Sequence, residues 1–357
     1  MKKIRVLVVD DSATIRRIVS TAITSSPDLE LAATAVNGQA ALDRLREGTA
    51  PDVVTLDVEM PVLDGISTLK ALRRVWPKLP VLMLSSHTER GALATLDALA
   101  AGASDFVAKP RAAGPEQART FVELEVLPRL RALGGRAAEA TAPMPPRRAA
   151  PAAPRHQGLV EAVVIGVSTG GPQALEQVLP RLPRTLPVPV LVVQHMPAMF
   201  TGLLAKRLAT MCGLQVHEVA GGEKVTAGAF IARGGTHLVV EGRDGARSLR
   251  VDDGPPENSC KPAADVLFRS AARSWGPGVL AVVLTGMGRD GCAGCAVVRS
   301  AGGAVLIQDR ETSVVWGMPG AVAEAGLADA VLPVGEVAGE IVQRVERGRL
   351  SAARAAP

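Results

Sequence analysis

Aromatic side chains are scarce in this sequence: its 357 residues include five Phe, three Trp and no Tyr, so aromatics make up 2%. Proteins that bind single-stranded nucleic acid usually stack the bases on aromatic rings. The 40 basic residues exceed the 35 acidic residues by only five, and they are dispersed along the chain without a helix-turn-helix pattern. We therefore expect no nucleic acid partner.

Cysteines and long apolar runs are scarce as well. The four cysteines, at positions 212, 260, 292 and 295, are too few for an oxidised, secreted scaffold. The N-terminal segment MKKIRVLVVDD has two lysines, but Asp10 and Asp11 interrupt the apolar run that a signal peptide would need. No apolar run reaches the ~18 residues that would span a membrane. These absences predict a cytoplasmic protein without direct membrane insertion.

The length favours about two domains, at roughly 150 residues per domain. One stretch, Gly135–Gly158, is rich in Pro, Ala and Arg and has no apolar periodicity, which is typical of a semi-extended tether. An arginine-rich contact patch is the alternative interpretation of this stretch. We predict a first domain over residues 1–130, a linker over 131–158 and a second domain over 159–350.

Both predicted domains alternate apolar runs with amphipathic segments, which indicates parallel β-sheets covered by helices. The first domain should have five strands, each followed by a helix, and the second should have a doubly wound, mainly parallel sheet. The runs are Ile4–Val9, Leu31–Val36, Val53–Leu56, Val81–Leu84, Phe106–Ala108, Val163–Val167, Val188–Val193, Val279–Leu284 and Ala304–Ile307. We expect a small antiparallel insert in the Gly-rich segment Cys212–Val251.

Polar side chains follow the predicted strands of the first domain. Asp10 and Asp11 follow the first strand, Asp57 follows the third, and Ser85 and Lys109 end the fourth and fifth. The carboxyl ends of parallel strands meet at one edge of a sheet. Three carboxylates repel each other there unless a hard cation such as Mg²⁺ lies among them, and the hydroxyl and ammonium groups suit phosphoryl oxygens. A row of solvated strand ends is the alternative.

These residues, together with the segment LDVEMPVLDG and a Lys-Pro pair after the fifth strand, resemble the receiver domain of bacterial response regulators over about residues 1–125. The resemblance implies a flavodoxin-like (βα)5 fold in which Asp57 accepts a phosphoryl group from a histidine kinase. It further implies that Asp10, Asp11, Asp57 and the backbone of Glu59 hold Mg²⁺, and that Ser85, Lys109 and Phe106 sense the phosphoryl group. Phe106 stands at the switch-aromatic position and has no hydroxyl.

The second domain has a serine at its first strand-to-helix turn. Residues 166–170 read G-x-S-x-G, a motif that exposes the hydroxyl of Ser168 on a tight turn. Alone the motif is weak, since a Gly-rich helix start can also bind a phosphate or nothing. His195 and Asp290, however, each follow another buried strand, and a nucleophilic serine needs a base and an acid that orients the base. The order Ser, His, Asp differs from that of the α/β-hydrolases.

Other motifs in the second domain compete with this interpretation. Gly286, Gly288 and Gly291 spell G-x-G-x-x-G, and with Asp309 they predict a dinucleotide site of an oxidoreductase. This motif comes late in the domain and leaves Ser168 and His195 unexplained. Cys292 and Cys295 form a lone C-x-x-C, which we interpret as structural because a zinc site needs about four ligands. The other histidines, at 87, 156, 217 and 237, are interpreted as surface or core residues.

The segments GVSTGGP, QHMP, LTGMGRDG and QDRETSVVWGMPGAVAEAGLAD, in this order over about 190 residues, resemble the catalytic domain of the chemotaxis protein-glutamate methylesterases. A receiver joined to this domain by a linker is the architecture of that family. The resemblance implies that Ser168 is the nucleophile, His195 the base and Asp290 the orienting acid. It places the backbone N–H of Met287 at the oxyanion and Thr169 beside the nucleophile.

The same resemblance implies a phosphorylation-activated serine hydrolase that demethylates γ-glutamyl methyl esters on methyl-accepting chemotaxis receptors. Members of the family can also deamidate receptor glutamines, and whether this chain does so stays open. Its partners would be the cytoplasmic helices of these receptors and a histidine kinase. Mg²⁺ would serve receiver phosphorylation, and catalysis would need no cofactor. A response-regulator binding module with an inactive second domain is a further alternative, which the presence of Ser168, His195 and Asp290 disfavours.

Overall fold

A computed structural model of the protein describes residues 2–86, 88–110, 114–135, 158–243 and 245–355. The chain divides into two compact units, residues 1–146 and 147–357. Residues 136–157 of the predicted linker, and the histidines at 87 and 156, lie outside the described residues. None of the described helices is both long and apolar enough to cross a bilayer.

The first unit has a five-stranded parallel sheet in the order β2-β1-β3-β4-β5, the flavodoxin order, which confirms the predicted (βα)5 fold. The strands are β1 Ile4–Val9, β2 Leu29–Ala35, β3 Val53–Asp57, β4 Val81–Ser85 and β5 Asp105–Ala108. The helices are α1 Ala13–Ser25, α2 Gly38–Arg46, α3 Gly65–Val75, α4 Glu89–Ala100 and α5 Pro115–Phe121, which continues through a π turn, Val122–Val126, into α6 Leu127–Gly134.

The first four helices begin at side-chain caps just beyond the carboxyl edge of this sheet. In each, the N-cap side chain accepts a hydrogen bond from a backbone N–H three residues further along the chain. Such caps satisfy a backbone donor that the helix leaves unpaired, and each contributes about 1 kcal/mol. The cap residues are Ser12, Asn37, Asp64 and Thr88. The caps therefore fix where each strand-to-helix loop at the carboxyl edge of the sheet ends.

The end of the first unit extends into the predicted linker. Helix α6 ends at Gly134, beyond the start of that linker at residue 131. Leu130, Leu133 and Gly134 are buried, and the guanidinium of Arg131 pairs with Asp28 at 2.7 Å. The apolar positions before the proline-rich stretch thus pack on the first unit.

The second unit has a seven-stranded sheet in the order β14-β13-β12-β6-β7-β9-β8, in which every recorded strand pair is parallel. Its strands are β6 Ala162–Val167, β7 Pro189–Gln194, β8 Val216–Glu218, β9 Gly228–Ile231, β12 Val279–Val283, β13 Ala304–Gln308 and β14 Ala330–Leu332. Its helices are α7 Gly171–Val178, α8 Ala198–Met211, α9 Ala264–Trp275, α10 Cys292–Ser300, α11 Met318–Glu324 and α12 Val334–Ala355. The predicted doubly wound, mainly parallel domain is confirmed.

The expected antiparallel insert is only partly right. Strands β10 (His237–Glu241) and β11 (Ser248–Asp252) do form an antiparallel pair. Strands β8 and β9, however, lie in the same segment and extend the parallel sheet beyond β7. The prediction failed because a short edge strand such as β8 is only half-buried, so it shows the same polar alternation as an antiparallel hairpin.

The core beneath the carboxyl edge of this sheet is built around α9. Its Phe268 is fully buried and fills space that two glycines leave open. A Cβ atom placed on Gly166 or Gly294 would lie 3.2 Å and 2.6 Å, respectively, from atoms of the Phe268 side chain. Close packing of helix, strand and turn here holds the neighbouring polar loops in place.

Candidate functional site

The backbone of the turn after β6 is held by three hydrogen bonds to Ser168. Its N–H donates to the carbonyl of Thr285 at 3.0 Å. Its carbonyl accepts from the N–H of Gly171 at 2.7 Å and from the side-chain amide of Gln194 at 3.0 Å. Gly170 has φ +76°, a left-handed conformation that glycine adopts without strain. The serine therefore projects from a fixed turn at the carboxyl edge of the sheet.

Strand order brings the other two predicted residues to the sides of this serine. Strand β6 lies between β7, which is followed by His195, and β12, which precedes the loop that carries Asp290. The imidazole Nε2 of His195 lies 2.7 Å from Oδ2 of Asp290. The structure thus joins the base and acid predicted from the sequence.

Asp290 is buried and surrounded by hydrogen-bond donors. Its Oδ2 also accepts from the backbone N–H of Ala264 at 2.5 Å, and its Oδ1 accepts from the N–H of Asp265 and from Nδ2 of Asn258, both at 3.1 Å. Burial alone would raise the pKa of Asp290, but the hydrogen bonds and the charge of His195 lower it below its ordinary value. The carboxylate therefore stays ionised at neutral pH.

The pKa of His195 is raised to about 9. Burial alone would lower this pKa, but the hydrogen bonds and charges of Asp290 and Cys260 outweigh the burial. A general base must be neutral to accept a proton. The fraction of His195 that is neutral, and so able to accept a proton, therefore increases as the pH approaches 9.

The second imidazole nitrogen of His195 faces a residue that the sequence analysis missed. The Sγ atom of Cys260 lies 3.5 Å from Nδ1, whereas no hydrogen bond between Ser168 and His195 occurs among the described residues. The N–H of His195 donates to the carbonyl of Val167 at 3.1 Å, so the backbone of His195 lies beside the residue before Ser168. In enzymes without bound substrate, the hydrogen bonds of catalytic side chains are often long or poorly aligned. Neither Cys260 nor Asn258 follows a strand, so no sequence signal links them to the site.

Met287 and Thr169, predicted beside the nucleophile, lie on the same edge. A Cβ atom on Gly286 would come 2.7 Å from Cβ of Ser168, so the glycine lets the Met287 segment lie directly against the serine. Among the described residues, the backbone N–H of Met287 donates to no acceptor. Thr169 is buried, and its carbonyl accepts from the Thr285 hydroxyl at 2.9 Å.

The competing motifs of the second unit have local structural partners. The carboxylate of Asp309 accepts a hydrogen bond from the N–H of Thr312 at 2.9 Å and caps its own loop.

The remaining cysteines and histidines of the second unit are structural or exposed. Cys295 is buried, the Cys292 thiol donates to the carbonyl of Ala321, and all four cysteines are free thiols. His237 is buried and hydrogen-bonded to backbone, and His217 is exposed with its ring edge on Phe230.

The carboxyl edge of the first unit carries a second cluster. The ammonium of Lys109 lies 2.8 Å from Oδ2 of Asp10 and 2.9 Å from Oδ2 of Asp57. One carboxylate oxygen from each of Asp10, Asp11 and Asp57 lies within 4.8 Å of the other two. Three carboxylates facing one ammonium leave an excess of negative charge on hard oxygen ligands. This donor set fits Mg²⁺.

The pKa of Asp57 is raised to about 6. Burial is the main cause, and the charges of Asp10 and Asp11 raise the pKa further, whereas the charge of Lys109 lowers it. The pKa of Lys109 is raised, because Asp57 and Asp10 outweigh the effect of its burial. Asp57 is therefore a carboxylate whose charge the fold disfavours and which a cation would stabilise.

The remaining predicted residues of the first unit lie at the end of β4, in β5 and just after β3. The hydroxyl of Ser85 lies 2.6 Å from the hydroxyl of Thr95 and 3.2 Å from the carbonyl of Gly91, so it is directed towards α4. No hydrogen bond joins Ser85 to Asp57 within the part of the chain that the structure describes. Phe106 is buried in β5, and Glu59 is exposed two residues after Asp57.

Two family models match the chain. The CheB methylesterase family matches residues 163–341, and the response regulator receiver domain matches residues 6–117. A relative from Trichodesmium erythraeum is 44% identical over 97% of this chain and all of its own length, and one from Nocardioides sp. is 48% identical over 98% of both chains. Both relatives are named protein-glutamate methylesterase/protein-glutamine glutaminase.

A solved structure gives the same result for the second unit. The CheB methylesterase catalytic domain of Thermotoga maritima is 42% identical, with a TM-score of 0.51, over 52% of this chain and 98% of that one. The likeness spans the sheet edge that carries the serine, histidine and aspartate.

Without bound Mg²⁺, the charge of Asp57 should make the folded protein less stable above pH 6 than at acidic pH. Its pKa is higher in the folded state, about 6, than the ordinary 3.8, so the folded state loses stability as pH rises through this interval. Asp57→Asn should therefore raise the free energy of unfolding of the first unit by up to about 3 kcal/mol at pH 8 without divalent cations. At pH 4, close to the ordinary pKa of 3.8, the difference should shrink to about 0.5 kcal/mol.

Urea unfolding of the full chain, followed at pH 4 and pH 8, measures this difference. Asp43→Asn, an exposed carboxylate on α2, is the matched control and should change stability by about 0.5 kcal/mol or less. An Asp57→Asn protein less stable than the parent at pH 8 would contradict the unfavourable charge of Asp57.

Proposed function

The chain belongs to the CheB methylesterase family and carries a response regulator receiver domain, and we propose that it is a phosphorylation-activated hydrolase of γ-glutamyl methyl esters on methyl-accepting chemotaxis receptors. The observation that carries the catalytic proposal is the 2.7 Å contact between His195 Nε2 and Asp290 Oδ2, beside the turn that holds Ser168. The names of the two curated relatives support the substrate class.

In the proposed reaction, the Ser168 hydroxyl attacks the ester carbonyl. Its proton passes to Nδ1 of His195, because Nε2 is already engaged with Asp290. The negative charge that develops on the carbonyl oxygen is stabilised by the backbone N–H of Met287, a type of contact that is usually among the largest catalytic contributions. Asp290 keeps the ring oriented and stabilises its protonated form.

Collapse of the tetrahedral intermediate breaks the bond to the methoxy oxygen. That oxygen takes the proton from His195 and leaves as methanol, with the glutamyl group bound to Ser168 as an ester. A water molecule, deprotonated by His195, then cleaves this ester and releases glutamate. Attack on a glutamine carboxamide would follow the same steps with ammonia as the leaving group, and the relatives' second name supports this activity. Neither reaction needs a cofactor.

For the first unit we propose regulation by phosphorylation. A histidine kinase would transfer a phosphoryl group to a carboxylate oxygen of Asp57. Asp10, Asp11 and Asp57, with the backbone of Glu59, would hold Mg²⁺, which when bound offsets the negative charge around the phosphoryl group. Lys109 would pair with the phosphoryl oxygens, and Ser85 and Phe106 would sense them. Ser85 would have to turn away from α4 to do so.

Phosphorylation can supply enough free energy to switch the protein from an inactive to an active state. Moving the equilibrium between these two states from 1:99 to 99:1 requires about 5.5 kcal/mol. A phosphoryl group adds nearly two charges and can form about 1–3 charge-assisted hydrogen bonds, each of about 1.5–3 kcal/mol. We also propose the predicted organisation, with the receiver over residues 1–130, a linker over 131–158 whose first residues complete helix α6, the catalytic domain over 159–350, and action in the cytoplasm.

Removal of the nucleophile gives the first test. Ser168→Ala should lower the rate of methanol release from a methylated receptor fragment by about 10⁶, the scale of other serine hydrolases. Ser300→Ala, an exposed serine on α10, should keep the parental rate and is the matched control. Unchanged methanol release by Ser168→Ala would refute the proposed mechanism.

Removal of the phosphorylation site gives the second test. Acetyl phosphate with Mg²⁺ should stimulate methanol release by the parent protein. Asp57→Asn should keep the basal rate and lose the stimulation, because its amide cannot form the acyl phosphate. Stimulation of Asp57→Asn equal to that of the parent would rule out regulation through this carboxylate.

A further inference from the structure

The loop that carries Asn258 and Cys260 has an unusual backbone. Asn258 and Ser259 have φ values of +51° and +60°, in the left-handed region that residues other than glycine rarely adopt. Such conformations are strained for Ser and tolerated by Asn, and they persist where surrounding contacts enforce them. Here the contacts involve the catalytic residues of the proposed function.

Asn258 connects this loop to the acid. Its Nδ2 donates to Oδ1 of Asp290 at 3.1 Å and to Oδ2 of Asp265 at 2.9 Å. Asp265 is itself buried and accepts from the backbone N–H of Gly294 at 2.5 Å. The loop is thus fixed to the carboxylate that orients His195.

Cys260 connects the same loop to the base. Its Sγ lies 3.5 Å from Nδ1 of His195 and 3.4 Å from the carbonyl of Asn258. Since Nε2 is bonded to Asp290, Nδ1 is the nitrogen that must take the proton from Ser168. A thiol is both a weak donor and a weak acceptor. It can donate to Nδ1 of the neutral ring, or donate to the Asn258 carbonyl and accept from Nδ1–H of the protonated ring.

We propose that Cys260 is a positioning residue that holds the His195 ring through Nδ1, stabilises its protonated form and yields this nitrogen to Ser168 when substrate binds. This inference rests on the proposed function. A weak sulfur contact suits the role, because a stronger acceptor at this position would compete with the serine throughout the reaction. No covalent step on the thiol is involved.

The proposal predicts a change in pH dependence. The titratable groups that face His195 are the carboxylate of Asp290 and the thiol of Cys260, with Asp265 and Glu257 next to them. The pKa of His195, about 9, is supported by hydrogen bonds with Asp290 and then Cys260. Below that pH, kcat/KM should rise about tenfold per pH unit as the ring loses its proton. Loss of the sulfur contact should shift this rise to lower pH.

The test is the pH profile of methanol release by the full chain between pH 6 and pH 10. Cys260→Ala should move the midpoint of kcat/KM down by about 0.5–1 pH unit, so that the rate at pH 7, relative to its plateau, rises about three- to tenfold. Cys260→Ser should fall between the two, because a hydroxyl can make the same pair of hydrogen bonds. Cys212→Ser is the matched control, because Cys212 caps the end of α8, about 20 Å along the helix from its start near His195. Its kcat/KM midpoint should match that of the parent.

A second measurement keeps the inference separate from the proposed function. The His195 ring can be titrated by ¹⁵N NMR in Ser168→Ala and in Ser168→Ala with Cys260→Ala, where no turnover is needed. The second protein should titrate at lower pH. Equal midpoints in the two proteins would overturn the role of Cys260 and leave the function intact, whereas full activity of Ser168→Ala would overturn the function itself. If Cys260→Ala is insoluble, Cys260→Val, which also removes the hydrogen-bonding group, takes its place, and an unchanged midpoint would overturn the role of Cys260 in the same way.

Discussion

The hydrogen bond between Nε2 of His195 and Oδ2 of Asp290 is the interaction on which the proposed chemistry of the second unit depends. It commits one imidazole nitrogen to the acid. It leaves Nδ1, which faces the Sγ of Cys260, to take the proton from Ser168 in the proposed reaction. The bond exists because β7 and β12 lie on either side of β6, and because backbone N–H groups at the start of α9 hold the aspartate in place. A parallel sheet with another strand order would not bring these three loops together.

The two units place buried carboxylates in opposite environments. Asp290 is supplied with backbone and side-chain donors, and its pKa is lowered, so it remains an ionised partner for the base. Asp57 is buried near two other carboxylates with one ammonium, and its pKa is raised to about 6. The first environment suits a permanent charge that orients a neighbour. The second suits a group whose charge is to be modified, because a cation or a covalent change can relieve its unfavourable burial.

Much of this arrangement could be predicted from the sequence, because buried parallel strands are continuous apolar runs and polar residues at their ends share one edge. Ser168, His195, Asp290, Asp10, Asp57 and Lys109 were all identified in this way. Cys260 and Asn258 could not be, since they lie in an irregular loop far along the chain from the residues they touch. The orientation of Ser85 and the pairing of β8 depend on tertiary packing that a strand pattern does not encode.

The most direct test of the account is the site of covalent labelling by a fluorophosphonate ester, an inhibitor that reacts with activated serines. Peptide mass spectrometry of the full chain should place the adduct on Ser168, and His195→Gln should lose it while remaining folded. An adduct on Cys260, or labelling of Ser168 that is equally fast without His195, would contradict the assignment of Ser168 as a nucleophile activated by this base.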